Sequence, residues 1–220
     1  MTVGGLRFAL EWSVPLPERL NDFLEDARAW CRGRFWLGRL LMWVWFAWLA
    51  VHYTQHANFR SLFDGINLGI HEFGHLICMP FGQFITVLGG SLVQCLVPVI
   101  SIFMFRRQGD YFAYSFSFVW LATNLYNVAL YIADSRALKL DLVTPFGGGD
   151  SDNAVGHDWN WILNKLGWLS HDLGIAAAVR GAALVCLWIG VLWGGWILWR
   201  MLLDRKKDGI GANWPEGRGA

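Results

Sequence analysis

Two histidines four residues apart enclose a glutamate in His71-Glu72-Phe73-Gly74-His75. On a helix, residues at i and i+4 lie on one face, one turn above the other, so both imidazoles can reach a single tetrahedral ion. Glu72 stands beside them. Zinc lowers the pKa of bound water to about 7, and a neighbouring carboxylate can take the released proton as that water attacks a carbonyl. This is the H-E-x-x-H logic of metal-assisted peptide hydrolysis. In a chain of this length the pattern arises by accident on the order of once in a hundred sequences or fewer. Its flanks, Ile66-Asn67-Leu68-Gly69-Ile70 and Leu76-Ile77-Cys78-Met79, are apolar. There an ionisable cluster costs several kcal/mol unless partners or a metal compensate it. One Zn2+ is therefore expected, with His71 and His75 as ligands and Glu72 as base.

A tetrahedral site needs at least one more protein ligand, and two residues qualify. Asp134 ends the fourth apolar stretch, with a helix-end charge near Arg136 as its plainer role. His157 is the better zinc donor by type, and Asp158 beside it would orient it from outside the coordination sphere. The plainer role for that pair is a helix N-terminal cap. Gln94, Asn124 and Asn127 are amides inside apolar segments, suited to a substrate backbone or to hydrogen bonds between helices. His52 and His56 are also four apart but lack the glutamate, and they read as interfacial histidines.

The elements that must position these groups are apolar. The 220 residues are 55% hydrophobic and 16% charged, where a soluble domain is about a quarter charged. The apolar residues gather in runs long enough to cross a bilayer, at 35–53, 61–81, 84–105, 111–133 and 174–203. The expected fold is an all-α polytopic membrane protein of about five transmembrane helices. Residues 1–34 predict an amphipathic interfacial helix, and 204–220 a C-terminal tail. Thr86-Val87-Leu88-Gly89-Gly90 is rich in β-branched residues and glycine, which predicts a re-entrant or β-like segment near 84–92 beside the site. The polar segment 134–172 contains an acidic glycine-rich loop at 147–153 and a short amphipathic helix opened by His157-Asp158-Trp159. Many of the fifteen tryptophans sit at segment ends, as interfacial anchors do. The Gly190-x-x-x-Gly194 spacing predicts close helix packing inside the bundle. Lys and Arg divide evenly between the two sides, about eight each, so charge leaves the orientation open.

Through His71-Glu72-Phe73-Gly74-His75 and the Gly89-Gly90 pair, the sequence resembles the site-2 protease family of intramembrane zinc metalloproteases, over roughly residues 61–134. The resemblance implies spans around a water-accessible cavity, with Glu72 activating water and an aspartate from a later span completing the zinc site. It also implies that the Gly89-Gly90 segment lies along a substrate unwound from its helix. The family's Asn-x-x-Pro-x-Pro-x-x-Asp-Gly signature is absent; the nearest stretch is Asn124-Leu125-Tyr126-Asn127 followed by Ala133-Asp134-Ser135. The expected partners are the lipid bilayer and a membrane protein or peptide substrate, and the expected location is the bacterial cytoplasmic membrane. The alternative is a non-catalytic membrane subunit of a larger complex, reusing a metalloprotease-like scaffold or ligating haem or a pigment through its histidines.

Other classes are disfavoured. A net charge of +1 without a basic block argues against nucleic acid. The four cysteines are far apart and without C-x-x-C, so they read as small buried hydrophobes. Residues 1–20 show no apolar stretch after a basic start, so no cleaved signal peptide is expected. No repeated halves or paired broken helices suggest a transporter.

Overall fold

The computed structural model describes residues 16–56, 58–140 and 156–210. Among them the chain is helical and holds no strand. Seven α-helices follow one another: α1 (Leu16–Trp30), α2 (Leu37–Gln55), α3 (Phe63–Cys78), α4 (Gln83–Gln108), α5 (Ala113–Ala133), α6 (Asp158–Leu166) and α7 (Asp172–Ile210), with 3-10 turns at Met79–Phe81 and Leu169–His171. The acidic loop expected at 147–153 and the end of the tail lie outside the described residues.

Three helical stretches are long and apolar enough to cross a membrane: Gln83–Gln108, Ala113–Ala133 and Leu169–Asp204, with mean hydropathies of 2.0, 1.3 and 2.1. The expected number was about five. The two that fall short do so for different reasons. In α2 the aliphatic residues are diluted by Arg39, three tryptophans, His52 and Gln55. In α3 the helix is only 16 residues long, about 24 Å at 1.5 Å per residue, against a hydrocarbon layer of roughly 30 Å. It stops because Pro80 follows within a tight 3-10 turn.

The re-entrant or β-like segment near 84–92 is also corrected, because these residues form the first turns of α4. β-branched residues and glycine lower helix propensity by well under 1 kcal/mol and about 1 kcal/mol each, a prior that packing overrides. Here the packing is specific. A Cβ on Gly74 would lie 2.4 Å from the Gly89 carbonyl oxygen, and one on Gly89 would lie 2.5 Å from Cys78 Cβ. Only glycine lets α3 and α4 approach this closely, and the approach sets His71 and His75 against α4.

The bundle centres on α5 and α7. Phe46, Leu49 and Tyr53 from α2, Val119, Ala122 and Tyr126 from α5, and Ala183, Leu187 and Val191 from α7 form one buried cluster. Gly190-x-x-x-Gly194 packs within the chain, as expected: Ser115 Oγ donates to the Gly190 carbonyl at 2.7 Å, and Trp43 Nε1 donates to the Val191 carbonyl at 2.8 Å. A second cluster seats α1 on the far end of α7, through Ala27 against Ile197, Leu198 and Met201. The third joins α5, α6 and the start of α7 through Val128, Ile132, Leu163 and Ala176.

Candidate metal centre

The buried face of α3 carries Asn67, His71, Gly74 and Cys78 at spacings of three and four. Asn67 anchors it. Its amide donates to Thr123 Oγ1 at 3.2 Å and to Asn127 Oδ1 at 2.7 Å, and its carbonyl accepts Trp120 Nε1–H at 3.0 Å. All three partners lie on α5, so the helix bearing the H-E-x-x-H motif is held in rotation one turn before His71.

Each imidazole is oriented through its Nδ1. His75 Nδ1 lies 2.8 Å from the Thr86 carbonyl oxygen, which can only accept. His71 Nδ1 lies 2.9 Å from Gln94 Oε1, and the Gln94 amide is fixed in that sense because its Nε2 donates to the Asn124 carbonyl at 3.3 Å. Both rings also rest on Gly90, where a Cβ would come within 2.7 Å of His71 Nε2 and 2.6 Å of His75 Nε2.

The remaining nitrogens converge. Oδ2 of Asp158 lies 3.0 Å from His71 Nε2 and 3.2 Å from His75 Nε2. A neutral imidazole has one N–H, and in both rings it is engaged at Nδ1. Two Nε2 atoms and a carboxylate oxygen then face one another, an arrangement that a metal ion between them, or a proton on one ring, satisfies. His71, His75 and Asp158 each offer a ligand atom within 4.8 Å of the others. A donor set of two imidazoles and one carboxylate suits zinc, which accepts nitrogen and carboxylate oxygen and, in catalytic sites, keeps a fourth position open.

Burial opposes ionisation of Asp158, but when a proton sits on either facing Nε2 its hydrogen bond and charge outweigh burial and hold the carboxyl below its ordinary range. Its backbone is fixed as well. Asp158 N–H donates to Tyr131 Oη at 3.0 Å, and Trp159 Nε1 donates to Ser91 Oγ at 3.0 Å, docking α6 on α4.

Beside the three donors lies a cavity of about 580 Å³, lined among others by Arg60, Asp64, Glu72, Thr86, Asn127 and Tyr131. Glu72 is half-buried and makes no hydrogen bond or ion pair among the described residues, so its carboxylate faces the cavity unengaged.

The other expected site residues are distributed differently. Asp134 and His157, the two candidates for the further ligand, face each other instead, with Asp134 Oδ2 3.5 Å from His157 Nε2. Asp134 accepts the backbone N–H groups of Lys139 and Leu140 at 2.9 and 3.0 Å, and His157 Nδ1 accepts Asn160 N–H as the N-cap of α6. Burial holds the His157 imidazole below its ordinary pKa, against the pull of Asp134. Asp158, expected as an outer partner, stands where a ligand was sought. Gly89 and Gly90 are buried in the α3–α4 contact and do not line the cavity. Gln94 and Asn127 do line it, although Gln94 is engaged by His71 and Asn127 by Asp64 and Asn67. His52 and His56 neighbour Trp48 and Phe59, away from the centre. The Thr86 carbonyl and Tyr131 were not anticipated; a backbone acceptor leaves no mark in a sequence. Comparisons with family models, with curated proteins and with solved structures give no match, so the function has to be read from the site itself.

Proposed function

We propose that this chain is a membrane-embedded zinc metallopeptidase that hydrolyses a peptide bond of a membrane-associated substrate. The observation that carries the reading is the convergence of two Nε2 atoms and one Asp158 carboxylate oxygen, with the unengaged Glu72 carboxylate on the wall of the adjoining cavity. His71, His75 and Asp158 would hold the metal. Zinc supplies Lewis acidity, which acidifies water and polarises a carbonyl.

The chain's own groups account for the rest. Glu72, free of other partners, accepts a proton from water at its carboxylate and returns it to the leaving amine nitrogen. Thr86 and Gln94 hold the two Nδ1–H groups, which keeps both Nε2 lone pairs available. The Tyr131 hydroxyl, on the cavity wall, accepts the Asp158 backbone N–H and so helps to hold that carboxylate in place. The likeness to site-2 proteases supports the same reading. In this chain the carboxylate ligand follows a polar segment rather than an Asp-Gly pair inside a span.

The test combines elemental analysis of the purified protein with cleavage of a transmembrane peptide reconstituted beside it. About one zinc per chain and chelator-sensitive cleavage are expected, with Glu72→Gln lowering the rate by roughly 10²–10⁴ while retaining the metal. Metal-free protein, cleavage indifferent to Glu72→Gln, or a haem or pigment absorption band would overturn it.

A further inference from the structure

Arg180 is the one charged residue of α7 between Asp172 and Arg200. It lies eight residues beyond Asp172, about 12 Å along the helix, within a stretch apolar enough to cross a membrane. A guanidinium at such a place ordinarily has a carboxylate. Arg180 has none among the described residues. The Asp172 carboxylate is occupied at both oxygens by Arg136, at 2.7 Å each. Arg180 instead lies beside Tyr126, 5.0 Å from its ring centroid and within hydrogen-bonding reach of its hydroxyl oxygen, whose proton goes to the Tyr53 carbonyl; that is a neutral partner. A cation–π contact does not neutralise a charge.

Beside the guanidinium is a cavity of about 200 Å³ between α5 and α7. Apart from Arg180 and Tyr126 its walls are alkyl, formed by Ala129 and Ala133 of α5 and Leu173, Ala176 and Ala177 of α7. The alanines leave a furrow between two helices that each qualify as membrane spans. A long arginine side chain can lay its alkyl stem along such a furrow while its charged head stays accessible to a polar partner. The complementary ligand presents an anionic oxygen at its head and hydrocarbon behind it. Inorganic phosphate fits only half of that description, since it would leave water for an alkyl-walled crevice.

We propose that the α5–α7 furrow is a binding site for an anionic phospholipid, its phosphate oxygens on Arg180 and an acyl chain along the alanines. A zwitterionic lipid carries an ammonium close to its phosphate and competes poorly for a lone cation. This site is separate from the metal centre and stands whether or not the chain is a peptidase.

Native mass spectrometry of the full chain, in detergent with equimolar phosphatidylglycerol and phosphatidylcholine, tests the proposal. Wild type is expected to retain phosphatidylglycerol about fivefold over phosphatidylcholine. Arg180→Gln should abolish that preference, and Arg180→Lys should keep part of it. Leu173→Trp fills the furrow without altering charge and should lower retention of both lipids, with thermal unfolding of every variant measured in parallel. Unchanged preference in Arg180→Gln, unchanged retention in Leu173→Trp, or displacement of the lipid by millimolar inorganic phosphate would each overturn it.

Discussion

Asp134 and His157 form a buried pair, 3.5 Å apart, one residue removed from the carboxylate that meets His71 and His75. Because His157 Nδ1 caps α6, its ring proton lies on Nε2 toward Asp134, and the Tyr131 ring covers the imidazole at 4.2 Å. The pair thus fixes the first turn of α6, and with it the direction of Asp158.

That arrangement separates ligands from supports. On the proposed assignment of His71, His75 and Asp158 as ligands, Asp158→Ala should abolish stoichiometric zinc binding. Asp134→Asn and His157→Gln should weaken it by about 10–100-fold, the usual cost of losing an outer partner. A competition titration with a chromophoric chelator measures all three. Zinc retained by Asp158→Ala but lost from His157→Gln would reverse the assignment.

How far this was legible follows from the same residues. His71, Glu72 and His75 declare themselves because all three sit on one helix, where spacing is geometry. That Asp158, rather than the expected Asp134 or His157, faces the two histidines does not, since adjacent residues at a helix start point about 100° apart and only the cap decides which turns inward. Residues 84–92 misled for a related reason. Gly89 and Gly90 read as breakers on their own, and only the partner helix, with Gly74 and both imidazoles filling the space of their missing Cβ atoms, explains them.

Gly90→Ala is therefore predicted to act on the metal centre rather than on the bundle. Its new Cβ would press on the His71 ring at 2.7 Å and on His75 Nε2 at 2.6 Å, the far ends of side chains that can turn away. Zinc affinity should fall by at least tenfold, about 1.4 kcal/mol, with helix content by circular dichroism preserved. Gly74→Ala meets backbone at 2.4 Å and should lower the unfolding temperature instead. Equal loss of stability in the two variants would contradict this division.

Asn67→Leu tests the anchor of α3. The substitution leaves the half-buried Trp120 N–H and Asn127 side-chain carbonyl without these partners, and unmet groups cost up to about 1–3 kcal/mol each. A loss of about 2–4 kcal/mol is expected in denaturant unfolding of the metal-free protein. If Asn67→Leu proves neutral, the polar ladder does not hold α3 to α5.

The α5–α7 seam gives the last prediction, because its energetics differ from those of a soluble core. Apolar burial contributes little between helices already in lipid, so close packing and hydrogen bonds must hold the seam. At Gly194 a Cβ would lie 2.4 Å from Ser115 Oγ and 3.0 Å from Ser115 Cβ, both short and stiff. Gly194→Leu should separate the helices and cost about 1–3 kcal/mol, lowering the unfolding temperature in detergent. Ser115→Ala removes the hydrogen bond to Gly190 while keeping the contact, and should cost only about 0.6 kcal/mol, the average for such bonds inside membranes. A larger effect from Ser115→Ala than from Gly194→Leu would mean that hydrogen bonding, not the approach of the two backbones, holds the seam.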